Sequence, residues 1–143
     1  MNYAVPANAA PALRVLEADF SSQILQPDGS VIERSTTTIP LIPEISCYRW
    51  TIKVDAKGPL RIKEVFKLPK APQTWGDADD NEYSPTRTSE DRATAVTVLF
   101  MPAKDGVLSN AWCVAAGDPS GQYSIEVFHE DQSLKKFEFT LTE

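Results

Sequence analysis

Histidine and cysteine are scarce in this chain, one and two copies respectively in 143 residues, and their scarcity removes several kinds of chemistry. A zinc site needs several Cys or His ligands, and Cys47, Cys113 and His129 lie too far apart in sequence to suggest one. The six glycines form neither a GxGxxG nor a GxxxxGK[ST] pattern, so no loop is recognisable that would cradle a nucleotide phosphate. No cofactor is expected. No apolar run approaches the roughly 20 residues a membrane helix requires, and no stretch keeps a sustained helical hydrophobic period. Lys and Arg number 14 against 20 Asp and Glu, giving a net charge of -6, which argues against a chain devoted to gripping phosphate backbones. Alternating cations such as Arg61, Lys63 and Lys67 read as the wet face of one strand.

Two cysteines are too few for a disulfide framework, and a chain of this length can rely on its apolar core. Alternation sets Cys47 out of phase with Tyr48, Trp50, Ile52 and Val54, so a bond to Cys113 is not expected. Residues 1–12, rich in Ala and Pro, read as a flexible lead-in to a single domain spanning 13–143. The lead-in has no Lys or Arg before Arg14 and no continuous apolar core, so the chain as written is expected in the cytoplasm, or secreted or periplasmic if a native leader has been removed.

What the sequence does have is period-two alternation. Tyr123, Ile125 and Val127 alternate with Ser124 and Glu126, and Phe137, Phe139 and Leu141 alternate with Glu138 and Thr140, with a tight connection between the two runs. Ser46 to Asp55 reads as a core strand with Tyr48, Trp50, Ile52 and Val54 on one side. Leu16 to Ile24 is a first strand, closed by the turn signal Pro27-Asp28-Gly29, and Val31 to Ile39 is a peripheral second strand ended by Pro40. Leu60, Ile62, Phe66 and Leu68 continue the pattern, although Glu64 breaks the apolar phase, the mark of a strand end, a bulge or a site. Val96, Val98 and Phe100 share a face, and so do Leu108, Trp112 and Val114. Seven to eight strands divided by turn signals are the count of an all-β, immunoglobulin-like antiparallel sandwich with one long irregular loop.

That loop is 69–92. It carries Pro69, Pro72, Gly76 and Pro85 among Asp77, Asp79, Asp80, Glu82, Glu90 and Asp91, a composition that cannot build a core. Asp77, Asp79 and Asn81 have the spacing of the first ligands of a calcium loop, but Glu82 stands where Gly must turn the chain and Thr88 where a bidentate Glu must close the shell. A solvated acidic loop is the better reading, and no metal is assigned. Trp75 and Tyr83 fall in this loop; their rings can anchor a partner, or Trp75 can fold back to plug the end of the sandwich. His129, followed by Glu130 and Asp131, reads as a surface histidine beside a hairpin turn.

Asp118, Gly121, Tyr123 and Ile125 resemble the tyrosine corner of immunoglobulin-like domains, with Ile125 where antibody domains keep their second cysteine. Thr37-Thr38-Ile39-Pro40 leading into Tyr48–Val54, with the ending marked by Tyr123, Ile125, Phe137 and Phe139, resembles an uncharacterised family of short bacterial β-rich domains. The resemblance implies an immunoglobulin-like fold and brings no functional residues with it.

With no acid–base pair, nucleophile or metal cluster in view, the expectation is a non-catalytic binding or assembly module. Its protein partner would meet the 69–92 loop, with Trp75 and Tyr83 as anchors and Asp77, Asp79, Asp80 and Glu82 supplying charge. One alternative is a carbohydrate-binding sandwich that stacks sugars on the same rings. Another is a hydrolase using Glu64, Glu82 or His129. An exposed edge strand also permits a homodimer; neither nucleic acid nor a membrane is an expected partner.

Overall fold

A computed structural model describes residues 12–56, 58–75 and 85–143 of the chain, so residues 1–11 of the expected lead-in fall outside the described residues. Ten strands form: β1 (Val15–Leu25), β2 (Val31–Ser35), β3 (Thr38–Pro40), β4 (Ser46–Val54), β5 (Leu60–Lys67), β6 (Thr86–Thr88), β7 (Thr94–Met101), β8 (Val107–Cys113), β9 (Gly121–His129) and β10 (Gln132–Thr142). They make two sheets, one ordered β2-β1-β4-β8 and the other β3-β10-β9-β5-β7-β6. Every pairing is antiparallel except β3 with β10, which is parallel.

The count exceeds the expected seven to eight for two reasons. The run 31–39 is two strands rather than one. The Thr36 amide still bonds β1 at Phe20 O, but the Thr36 hydroxyl accepts the Thr38 amide and turns the chain across to the other sheet, where Ile39 is fully buried. Threonine hydroxyls that bond nearby backbone compete with the ladder, which is why a β-branched run breaks here. The second reason is β6, a short strand inside the segment expected to be irregular. Its Thr86 hydroxyl shares a buried 2.8 Å hydrogen bond with that of Thr97 on β7.

Alternation places the core. On β4, Tyr48, Trp50, Ile52 and Val54 point inward, and β9 and β10 add Tyr123, Ile125, Val127, Phe137, Phe139 and Leu141. Phe20 of β1 stacks on Phe139 with centroids 4.5 Å apart, joining the sheets through aromatic contact. On β7, Val96, Val98 and Phe100 do share a face, but it is the outward one, and Phe100 is 75% exposed. The pairing of β7 with β5 explains this: the small inward residues Ala95 and Thr97 lie opposite the bulky Phe66 and Glu64.

Candidate functional site

Glu64 does not interrupt β5. The register with β7 runs unbroken from Leu60 to Lys67, and the Glu64 side chain continues the inward phase with 1% exposure. The facing sheet supplies its hydrogen bonds. Oε2 accepts Trp50 Nε1–H at 2.7 Å and Asn110 Nδ2–H at 3.0 Å, while Oε1 accepts Trp112 Nε1–H at 2.7 Å. A buried carboxylate is tolerable only when its oxygens are well satisfied, and here three neutral donors do this with no cation among them. The result is a polar clasp between the two sheets. Its oxygens are occupied by protein groups, an arrangement suited to fixing structure rather than to proton transfer.

Trp112 also forms part of a cavity of about 130 Å³ at one end of the sandwich, beside Tyr48, Phe66, Trp75 and Tyr123. Two connections meet there. The 69–75 segment lies over the 114–121 connection, with the Gln73 side chain against Gly117 and Pro69 against Gly121. Both glycines have positive φ, and a Cβ at Gly117 would collide with Gln73, so residues lacking a side chain allow the close approach. Tyr123 Oη donates to Pro119 O at 2.6 Å, which is the tie of a tyrosine corner and fixes the same connection.

The cavity holds two polar groups with spare capacity. Among the described residues Asp118 accepts one hydrogen bond, from the Ala115 amide to Oδ2 at 2.9 Å, and partial burial raises its carboxyl above the usual range. The Tyr48 hydroxyl makes no hydrogen bond among the described residues; burial first, then unfavourable electrostatics with Tyr123, Asp118 and Glu64, push its pKa well up. Trp75, Phe66 and Trp112 meet pairwise edge to face at interplanar angles of 81°, 62° and 76°, so three ring planes form a corner in the cavity wall.

Of the residues expected to bind, only Trp75 belongs to the described set; Asp77, Asp79, Asp80, Glu82 and Tyr83 lie outside it. Trp75 is turned inward, 8% exposed, with its indole N–H donated to Arg92 O at 2.9 Å, and so plugs the end of the sandwich instead of standing in solvent. His129 closes β9 with its ring largely covered and Nε2 4.0 Å from Glu130 Oε1. Among the described residues no hydroxyl or thiol hydrogen-bonds to it, and no three His, Cys, Asp or Glu side chains gather as a metal site.

Cys47 and Cys113 are bonded, contrary to expectation. Cys47 does point away from the layer of Tyr48 and Trp50, as its phase predicts. However, Cys113 lies directly opposite it on β8, facing the same outer side. The bond therefore ties an edge strand to its neighbour within one sheet rather than joining the two sheets.

A two-sheet antiparallel sandwich with a tyrosine corner and no inter-sheet disulfide among the described residues defines an immunoglobulin-like domain of the broad class. Residues 18–142 match the model of the PM0630 beta sandwich domain, and the chain belongs to that family. Its fold is similar to the crystal structure of an immunoglobulin-like protein from Pseudomonas aeruginosa. That likeness has a TM-score of 0.61 and 12% sequence identity, and it covers 94% of this chain and 100% of the other. A search of the curated proteins finds no match. No helix among the described residues is long and apolar enough to cross a membrane.

Proposed function

We propose that the chain is a non-catalytic binding or assembly module that recognises a protein partner at the end of the sandwich where the 69–92 segment meets the 114–121 connection. One observation carries this reading: the described part of that segment helps to enclose a cavity whose Asp118 carboxylate and Tyr48 hydroxyl are left under-used. In sequence the segment continues from Trp75 into Asp77, Asp79, Asp80, Glu82 and Tyr83, charge that would draw a basic partner and speed encounter more than it deepens affinity. The disulfide fits an oxidising compartment, which favours a secreted or periplasmic setting over the cytoplasm. The carbohydrate reading loses support because it needs the Trp75 ring in solvent. Affinity capture from the native host, comparing the intact chain with an Asp77→Asn, Asp79→Asn, Asp80→Asn, Glu82→Gln variant, tests the proposal. Recovery of the partner is expected to fall several-fold, and equal recovery would remove the acidic stretch from the interface.

A second reading, self-association, has its own observation. Every residue of edge strand β2 is exposed, Val31 to 55%, beside an exposed Leu25 on β1. Such an edge can pair with its copy about a two-fold axis. Light scattering that returns a monomer at high concentration would end this reading.

A further inference from the structure

We infer that the cavity at the end of the sandwich receives an alkylammonium group, presented as the side chain of a lysine on the partner segment. The inference rests on the binding reading above and supplies the chemistry of the partner. Trp75, Phe66 and Trp112 line the cavity with their ring planes at 62° to 81° to one another, and electron-rich aromatic rings attract cations, most strongly where water is excluded. Both indole N–H groups are already engaged, Trp75 with Arg92 O and Trp112 with the Glu64 carboxylate. What those rings can offer a guest is therefore carbon surface and π density, and donation to a carboxylate makes the Trp112 ring richer in electrons.

The polar groups agree with a cationic guest. Asp118 supplies a half-buried carboxylate with one oxygen unused among the described residues, and the salt bridges among the described residues do not include it. Tyr48, 2% exposed, adds a hydroxyl with an open acceptor position. An ammonium needs such acceptors, whereas an anion would be repelled by Asp118. The cavity, about 130 Å³, far exceeds the ~15 Å³ that one water needs, so it has room for a methylene tail. The acidic stretch that follows Trp75 in sequence carries the charge that would guide a lysine-bearing segment.

Two cavity tryptophans make intrinsic fluorescence a direct readout. The intact, oxidised chain is titrated with acetyl-Gly-Lys-Gly-amide, with its norleucine analogue, which keeps the methylenes but lacks the ammonium, and with n-butylammonium chloride. A saturable change with the lysine peptide, at least tenfold weaker with norleucine, and a change with free n-butylammonium that is weaker than with the lysine peptide, are expected. Asp118→Asn, which keeps an acceptor for the Ala115 amide, is expected to weaken lysine binding at least tenfold, and Tyr48→Phe several-fold. Circular dichroism checks that both variants fold. Equal binding of norleucine, a parent-like response in both variants, or no saturation at tens of millimolar peptide would overturn the inference, the last leaving a cavity filled by water. Binding of n-butylammonium as tight as that of the peptide would overturn the partner source. If the peptide binds while the charge-neutralised chain captures its partner undiminished, the acidic-stretch reading fails and the lysine site stands. If capture falls but no peptide binds, only the lysine site fails.

Discussion

Replacing Glu64 by Gln changes one buried atom from acceptor to donor. The carboxylate receives two N–H groups on Oε2 and one on Oε1. A glutamine amide can keep its oxygen toward Trp50 and Asn110 only by turning its NH2 toward the Trp112 N–H. The reverse orientation opposes two donors, so the first is preferred. Leaving the Trp112 donor unpaired costs about 1–3 kcal/mol, and the two surviving bonds fall from charge-assisted to neutral strength, about 1 kcal/mol each. The amide is easier to bury than the carboxylate, which offsets part of this loss. A net destabilisation of about 2–4 kcal/mol is expected, a large share of the ~5–15 kcal/mol that typically holds a domain together. Urea unfolding followed by tryptophan emission and circular dichroism measures it. Glu64→Leu, which deprives all three donors of an acceptor, should be less stable than Glu64→Gln, and Trp112→Phe should rescue part of the Gln defect by removing the opposed donor. A Gln variant within ~0.5 kcal/mol of the parent, or a Leu variant more stable than it, would refute the clasp.

Removing the disulfide with Cys47→Ser and Cys113→Ser, which releases a sequence separation of 66 residues, should cost about 2–5 kcal/mol in the same assay; an unchanged urea midpoint would count against the bond. Tyr123→Phe keeps the ring but deletes the 2.6 Å bond to Pro119 O, and should destabilise by about 1–2 kcal/mol, with no loss expected if the corner tie were incidental. Burial raises the Asp118 carboxyl above its ordinary 3.8, so the folded state holds this proton more tightly than the unfolded chain. Its stabilising share is thus full below about 3.8 and is lost as pH rises through the raised folded value. Relative to Asp118→Asn, the parent should therefore lose stability between pH 4 and pH 7 when urea midpoints are compared; the opposite tilt would show that the carboxylate is stabilised when ionised.

Local alternation carried the architecture, since each strand's inward set follows from period two, and β4, β8, β9 and β10 present the faces read from their sequences. Period two gives a phase but not its sign. On β7 both phases are apolar enough to be core, and the choice was made by the pairing of Ala95 and Thr97 with Phe66 and Glu64, which no local window contains. The cysteines are similar: the outward phase of Cys47 was legible, but its alignment with Cys113 depends on the β4–β8 register. Glu64 was conspicuous as a break, yet its meaning depended on Trp50, Asn110 and Trp112 arriving from the opposite sheet. Among the site residues, the aromatic signal of Trp75 was visible while its direction was not, because Gly117 and Gly121 let the 69–75 segment close over the core. The same two glycines carried the one local signal that could have located the cavity.

The two unusual ties of this domain share β8. Immunoglobulin-like sandwiches of the antibody kind join their sheets with a disulfide, and here Ile125, fully buried, stands where the second cysteine of that bond would be. The Glu64 clasp joins the sheets instead, while the disulfide is spent inside one sheet, fastening Cys113 at the end of β8 to β4. Asn110 and Trp112 sit just before that cysteine, so an edge strand that would otherwise be free to fray is held from the interior by hydrogen bonds and from outside by a covalent bond. Trp112 is also a wall of the cavity, and recognition sites perform best when their walls are held by packing and hydrogen bonds rather than by the guest. Stability and binding should therefore be coupled at this strand: reducing the disulfide ought to weaken lysine-peptide binding even under conditions where the chain stays folded, and Glu64→Gln ought to do the same through the loosened indole.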